Sequence, residues 1–540
     1  MKGFSNEFTY KKFVENKEEE RFDKLFDGAV EKVRREVLGK KFPLYVGGKE
    51  AYSSELIEEH SPIDGSLVGI FQRGTREHAK MAIDAALNAF KEWGSMDYRE
   101  RTAILRKAAE AFRQEKFLIS AILSIENGKT RYESVGEVDE AIDFLEYYCM
   151  ETERNKGYIS RKTLASSSGK VSAGFQGAPG SEEKVTSVMK PYGVFGVIAP
   201  FNFPISISTG MSAGALVTGN TVVFKPSSTD NMTMLTGLYI YRMFKEAGLP
   251  DGAFNYLTGP GSEIGDELSS NPKVSGIAFT GSKATGMGMI AKSYGMGLHK
   301  AFVVELGGKD PTIVSKNADL EVAVSGVVSS AFGYSGQKCS ATSRVYVHES
   351  VKEEFISRLA ERARLLKPGN PLLKENYIGP LISGKAAERF KASVEEARAH
   401  GRIICGGNMF EIQGGLYAEP TVVEIDHSNR LFHEELFLPF LVIDTFRKFD
   451  EAIAKANDTE YGLTAGLYSR SRSEIKEFLS GIQAGTVYVN RKIGATTGAI
   501  VGVHPFVGWK GSGVTGKGTG SRFYLQQFMR EQSQGIAKIE

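Results

Sequence analysis

The stretch Pro191-Tyr-Gly-Val-Phe-Gly-Val-Ile-Ala-Pro-Phe-Asn-Phe-Pro204, running on to Thr221-Val-Val-Phe224, decides the fold. No charged residue occurs between Pro191 and Phe224, and a run of that length could span a bilayer. Pro200 and Pro204 would break such a helix, and Gly, Ser and Thr fill much of the remainder. Two short buried strands, Val194–Ala199 and Thr221–Phe224, joined through a loop and a helix, fit the stretch instead. The segment therefore reads as soluble interior, with no membrane partner.

Working outward, the same alternation continues. A helix over Met234–Ala247 is stopped by Gly248-Leu-Pro250, and a strand follows at Gly276–Phe279. Further on come strands at Ala301–Glu305 and Thr312–Val314, a helix over Leu320–Phe332, a strand at Arg344–Val347 and a helix over Val351–Leu366. Strand–helix alternation of this kind predicts parallel sheets covered on both faces, an α/β fold. Upstream, residues 10–40 read as one amphipathic helix, Leu44–Gly48 as a strand entering a turn, and Ser61–Gly65 as a turn between short strands. Helical periodicity dominates Thr75–Asn127, with Ala79, Ala82, Ala85, Ala86 and Phe90 on one face and Ile104, Ala108, Ala111 and Phe112 on another, and returns over Val138–Tyr148. Residues 159–183, rich in Ser, Gly and Lys, read as an exposed arm.

The chain has 540 residues, enough for two or three domains. Its 67 basic and 65 acidic residues nearly cancel, which gives no reason to expect nucleic acid or an anionic membrane as partner. Only three cysteines occur, with no CxxC and no His-rich tract, so a reducing, cytoplasmic setting and no metal are expected. The charged N-terminal stretch shows no apolar signal region.

Four motifs carry chemistry. Phe332-Gly-Tyr-Ser-Gly-Gln-Lys-Cys-Ser-Ala341 holds a lone thiol, Cys339, after a turn that Gly333 and Gly336 make flexible; a nearby ammonium or backbone N–H groups would lower its pKa. Ala199-Pro-Phe-Asn-Phe-Pro204 fixes the backbone around Asn202. Phe279-Thr-Gly-Ser-Lys-Ala-Thr-Gly286 places glycines at a strand-to-helix turn. Val304-Glu-Leu-Gly-Gly-Lys309 ends a strand with a carboxylate, Glu305.

Together, in this order and spacing, the motifs resemble those of the aldehyde dehydrogenase superfamily, over residues 40 to 535. The resemblance implies a Rossmann-like cofactor domain (1–158 and 185–302), an α/β catalytic domain (303–508) and a small β oligomerisation arm (159–184 and 515–540), hence a homo-oligomer. It implies that Cys339 attacks an aldehyde carbon, that the Asn202 amide and the Cys339 N–H hold the oxyanion, and that Glu305 activates the water that hydrolyses the thioester. The common GxGxxG fingerprint is absent. The family pattern instead assigns NAD or NADP to Ile198, Ala199, Pro200, Phe201, Lys225, Ser227, Ser228, Gly261, Gly265, Phe279, Thr280, Gly281, Ser282, Gly286, Leu306, Gly307, Glu435 and Phe437. Ser228 stands where many NAD-preferring members carry Glu, and a serine tolerates a 2′-phosphate. Leu438 replaces a usual Gly.

Asn490-Arg-Lys-Ile-Gly-Ala-Thr-Thr-Gly-Ala-Ile-Val-Gly-Val-His-Pro-Phe506 is similar to the aldehyde-anchor loop of the branch that oxidises L-glutamate γ-semialdehyde, the 1-pyrroline-5-carboxylate dehydrogenases. That likeness assigns the α-carboxylate and amino group to Ser340, Gly498 and Ala499, the methylenes to Phe203 and Phe506, and further pocket positions to Glu140 and Lys338. His504 and Val507 depart from the branch pattern. Another semialdehyde, of succinate or aminoadipate, is the alternative substrate.

Overall fold

The computed structural model describes residues 4–164, 183–230, 232–492 and 499–537. Two seven-stranded sheets organise these residues. The first runs in the order Ala301–Glu305, Val274–Thr280, Val194–Ile198, Thr221–Lys225, Phe254–Tyr256, Leu44–Val46, Lys49–Ala51. Its first five strands are parallel, and the N-terminal hairpin adds antiparallel at the far edge. Val194–Ile198 and Thr221–Lys225 are buried along their whole length, which explains the apolar runs Val194–Ile198 and Val222–Phe224 within them. The helix between them, Ser206–Val217, is buried on all sides and carries no charge.

Register places the expected site residues together. Ile198 lies opposite Lys225 on one side and Phe279 on the other, while Thr280 pairs with Glu305. All four strands thus end in one row, and the region beyond the carboxyl ends of parallel strands is where α/β sheets bind ligands.

The second sheet runs Arg402–Cys405, Thr421–Glu424, Phe440–Phe446, Thr342–His348, Asp310–Val314, Thr464–Tyr468, Thr486–Val489, parallel except at its Arg402 edge. Asp310–Val314 follows the first sheet's last strand after only four residues, Leu306–Lys309. That short connection brings the two sheets to one crevice. A third, antiparallel sheet orders Met529–Ala537, Glu183–Pro191 and Ile159–Leu164, with the C-terminal strand on its edge.

Several expectations need correction. Residues 10–40 form two helices, Thr9–Glu15 and Glu19–Glu36, because Lys17 adopts a left-handed φ of 58° between them. The boundary drawn at residue 302 falls inside the edge strand Ala301–Glu305, which pairs along its length with Gly276–Thr280 of the first sheet. The arm strand reaches Pro191, beyond residue 184. Tyr524, Leu525 and Phe528, drawn into the arm, are fully or nearly fully buried in the largest core cluster.

Candidate active site

Cys339 lies between the helix Leu320–Phe332 and the strand Thr342–His348, which Asp319 and parallel pairing hold in place. The turn before it is strained. Tyr334, Ser335 and Gly336 take successive φ values of 49°, 54° and 67°, and a left-handed conformation costs a non-glycine residue roughly 1–2 kcal/mol. Side chains hold it there. Tyr334 Oη donates to Asn127 O at 3.0 Å, and Ser335 Oγ to Gly379 O at 2.8 Å. Gln337 Nε2 donates to Pro380 O at 3.2 Å while its Oε1 accepts from Ile382 N at 2.9 Å. A Cβ on Gly336 would stand 2.1 Å from Leu438 O. The turn is therefore fixed, not flexible, and Gly333 keeps an ordinary negative φ.

The thiol's electrostatics also differ from expectation. Lys338 turns away to pair with Glu133 at 3.2 Å. Burial, followed by the charges of Glu435, Asp310 and Glu305, pushes the Cys339 thiol well above its ordinary pKa. The resting thiol is protonated, and a base must take its proton.

Glu305 is a second buried ionisable group. Burial lifts its carboxyl to about 7, against a lowering hydrogen bond from Thr519. Thr519 Oγ1 donates to Glu305 Oε1, and Thr519 O accepts from Phe506 N at 3.1 Å. A pKa near neutrality suits a general base at physiological pH. Thr519 had no signal in the sequence, and it lies in the segment first drawn into the arm.

Asn202 is 3% exposed, and its Oδ1 accepts from Phe203 N at 3.1 Å. Its amide nitrogen is thereby the end left to donate. Asn127 Nδ2 holds Phe201 O at 3.2 Å, and Glu137 Oε1 accepts from Ile205 N at 2.7 Å and Ser206 N at 3.2 Å. Glu137 caps the helix that follows and forms a fully buried ion pair with Lys129. Lys129 Nζ stands 3.5 Å from the Phe203 ring centroid. The Asn202 loop is thus fixed at both ends by the helix Arg131–Arg154 and its neighbours.

A cavity of about 270 Å³ opens beside these groups. Glu140, Phe203, Lys338 and Ala499, all expected substrate positions, line it together with Glu7 and Phe8. Burial raises Glu140 to about 7. The N-terminal segment closes this cavity: Asn6 Nδ2 donates to Asp143 Oδ2 at 2.9 Å and to Val501 O at 3.0 Å, and Glu7 N donates to Asp143 at 2.8 Å. That strap was not foreseen, and the polar Asn6 and Glu7 carried no motif. Ser340 is buried beside Cys339, and Phe506 is half-buried. Gly498 lies outside the described residues. His504 and Val507 are accommodated, with His504 N bonded to Ile500 O at 2.8 Å and Val507 N to Thr486 Oγ1 at 2.9 Å.

The expected cofactor residues gather at the carboxyl ends of the first sheet. Ala199 N donates to Lys225 O at 3.0 Å, and Pro200 and Phe201 follow. Lys225 Nζ donates to Pro226 O at 3.2 Å, as does Ser228 Oγ at 2.9 Å. Burial lowers Lys225 to about 8, with no carboxylate against it. Ser227 O accepts from Thr233 N at 3.0 Å. Gly261 and Gly265 bound a wide helical turn, and a Cβ on Gly265 would lie 3.9 Å from Ile198. Thr280 is buried behind Gly281, and Ser282 caps the next helix by accepting from Thr285 N. A Cβ on Gly286 would stand 2.6 Å from Leu306 and 3.1 Å from Phe279. One on Gly307 would meet Glu435 at 2.1 Å, and Gly308 N donates to Glu435 at 2.9 Å. Burial raises Glu435 to about 7. Phe437, not Leu438, takes the left-handed turn, with φ 59°, and its ring lies 5.6 Å from that of Phe201.

A second cleft of about 710 Å³ continues past Glu435, lined by Ser282, Lys283, His433, Asp458 and Tyr461.

The family model described as the aldehyde dehydrogenase family matches residues 49–533. The chain belongs to the aldehyde dehydrogenase family. It is 37% identical over 519 residues to 1-pyrroline-5-carboxylate dehydrogenase 1 of Halalkalibacterium halodurans, covering 94% of this chain and 95% of that one. It is similar to the Thermus 1-pyrroline-5-carboxylate dehydrogenase crystallised with bound NAD, with TM-score 0.89, 34% identity and 99% of each chain covered. Lactaldehyde dehydrogenase from Escherichia coli matches at TM-score 0.83 and 31% identity over 92% of this chain and 100% of that one. No helix among the described residues is long and apolar enough to cross a membrane.

Proposed function

We propose that the protein oxidises L-glutamate γ-semialdehyde to L-glutamate with NAD, and that it accepts NADP as well. The observation that carries this reading is one cavity lined by Glu140, Phe203, Lys338 and Ala499, of which Phe203 and Lys338 are the chain neighbours of Asn202 and Cys339. Near-complete alignment with 1-pyrroline-5-carboxylate dehydrogenases supports the substrate.

Cys339 loses its proton to solvent, and the thiolate sulfur adds to the aldehyde carbon. The Asn202 amide and the Cys339 N–H then share the oxyanion, each such donor worth roughly 10²–10³ in rate. Loss of hydride leaves a thioester on Cys339. Glu305 next removes a proton from water, which adds to the thioester; the sulfur leaves and the carboxylate product forms. Lys225 fits a dinucleotide ribose, because a buried ammonium bonded to one carbonyl retains N–H donors for hydroxyls. Glu435, held by Gly308 N, fits the second ribose. When bound there, the dinucleotide supplies the hydride acceptor. At Ser228 a carboxylate would repel a 2′-phosphate; the serine does not, which is the ground for NADP use.

We assign residues of the first sheet to a cofactor unit and those of the second to a catalytic unit. The edge strands Met529–Ala537 and Ile159–Leu164 pair with a second copy of the chain in a cytoplasmic homo-oligomer, since an unpaired edge invites another strand.

Initial rates with L-glutamate γ-semialdehyde, succinate semialdehyde and propanal, each with NAD and NADP, test the reading. A kcat/KM for the first at least about tenfold above the others is expected, a transition-state preference of about 1.4 kcal/mol. Equal or better rates with the others retire the glutamate assignment and leave the reaction type standing. A Ser228→Glu enzyme is expected to lose NADP activity and keep NAD activity; retention of both refutes the role of Ser228.

A further inference from the structure

Downstream of the site, the loop carrying Glu435 and the turn Asn457–Tyr461 bring together three groups that have no part in the reaction. His427, His433 and Asp458 are brought together so that one ligand atom from each lies within 4.8 Å of the others, the only such group found among the described residues. His427 Nε2 stands 3.0 Å from Asp458 Oδ2. Ligand atoms around one tetrahedral Zn²⁺ stand about 3.4 Å apart, since each lies about 2.0–2.1 Å from the metal. The His427–Asp458 edge already fits, and rotation of the Asp458 side chain, 67% exposed, can close on His433.

Both imidazoles are held from behind, the arrangement that orients histidine ligands. His433 Nε2 donates to His427 O at 2.9 Å, which leaves Nδ1 with its lone pair. His427 Nδ1 lies 2.9 Å from Tyr346 Oη. Tyr346 Oη is also 3.1 Å from Lys455 O, to which it can donate, and 3.2 Å from Arg344 Nη1, from which it accepts. Tyr346 can therefore accept from His427 Nδ1–H while giving its own proton to Lys455 O. His427 can carry its proton on Nδ1 and present Nε2 as a ligand without loss of a hydrogen bond. Arg344 and Lys510 are the opposing charges: Lys510 Nζ holds Asn457 O at 2.7 Å beside the cluster. They weaken a cation, and Asp458 offsets one of them.

We propose that His427, His433 and Asp458 form a binding site for a borderline divalent cation such as Zn²⁺ or Co²⁺, on the rim of the cleft that Glu435 lines. His433 and Asp458 line that cleft with Glu435 and Ser282. A bound ion clamps the loop two residues before Glu435 to the 457–461 turn, and an open fourth position faces solvent.

Zn²⁺ would also bind an active-site thiolate, so the test uses Cys339→Ala enzyme. Co²⁺ titration is expected to give visible d–d absorption of tetrahedral intensity saturating at one equivalent per chain, displaced by Zn²⁺. In the same background His433→Gln and Asp458→Asn each weaken Zn²⁺ at least tenfold, while His400→Gln, on an exposed helix end, leaves it unchanged. In the unaltered enzyme, mass-spectrometric mapping of diethyl pyrocarbonate labelling shows His433 protected by Zn²⁺. No saturable binding, affinity unmoved by both substitutions, or His433 labelling unmoved by Zn²⁺ overturns the proposal.

Discussion

The turn carrying Cys339 and the loop of residues 499–506 serve one site and are held in different ways. Side chains clamp the Cys339 turn to the core through Tyr334, Ser335 and Gln337, all buried. The 499–506 loop is tied through backbone to residues 519 and 520, Gly502 N to Gly520 O at 2.9 Å and Phe506 N to Thr519 O at 3.1 Å. Among the described residues Asn6 ties it to the N-terminal segment through Val501 O, Thr486 Oγ1 donates to Pro505 O at 3.1 Å, and Val503 at its tip is 69% exposed. The part that makes and breaks bonds is rigid and internal. In the reading proposed above, the part that selects the aldehyde rests on residues 519 and 520 and on Asn6. A family can therefore keep one reaction and vary its substrate, as the match to both 1-pyrroline-5-carboxylate and lactaldehyde dehydrogenases illustrates.

The sharpest way to break the contrast is to remove the nucleophile. Cys339→Ala should lower kcat by roughly 10⁴-fold or more, with the fold and cofactor binding intact. Substitution Asn202→Ala should cost roughly 10²–10³ in kcat, the worth of one oxyanion donor, with little change in cofactor affinity.

The third effect is pH. Because burial raises Glu305 to about 7, its carboxylate fraction falls as pH drops through 7. The kcat profile should decline about tenfold per unit below that value, roughly a hundredfold by pH 5. Thr519→Val, which removes the hydrogen bond that stabilises the charged form, should move the limb to higher pH; a limb that stays put refutes the role given to Thr519.

Gln337→Ala leaves Ile382 N and Pro380 O without a partner, at about 1–3 kcal/mol for a buried unpaired group. It should lower the melting temperature and reduce kcat about tenfold for every aldehyde alike. Asn6→Ala should do the reverse. It loosens the substrate loop by about 1 kcal/mol, raising KM about fivefold for the amino-acid aldehyde while kcat and propanal oxidation hold. If Asn6→Ala and Gln337→Ala affect all substrates equally, the distinction between the two regions fails.

Much of this was legible in the sequence, because local rules governed it. Uncharged runs at Val194–Ile198 and Thr221–Phe224 announce a sheet buried on both faces, and prolines around Asn202 announce a fixed loop. Motif order pointed to the family, which the match over residues 49–533 bears out. What escaped depends on contacts far apart in the chain. Thr519 meets Glu305 across 214 positions, and Asn6 meets Val501 across 495. The raised thiol pKa arises first from burial in the folded chain and then from Glu435, Asp310 and Glu305. The left-handed turn at Tyr334 and Ser335 defies local preference and persists only because tertiary hydrogen bonds hold it. The His427–His433–Asp458 group escaped for the same reason, since Asp458 comes from another turn.

The division of labour between Cys339 and Glu305 is tested most directly by rapid mixing of Glu305→Gln enzyme with NAD and L-glutamate γ-semialdehyde, followed by intact mass and peptide mapping. The account predicts a burst of about one NADH per active site, then arrest, with a single acyl group on Cys339. A steady rate near that of the unaltered enzyme, or a burst with the acyl group on any other residue, would contradict it.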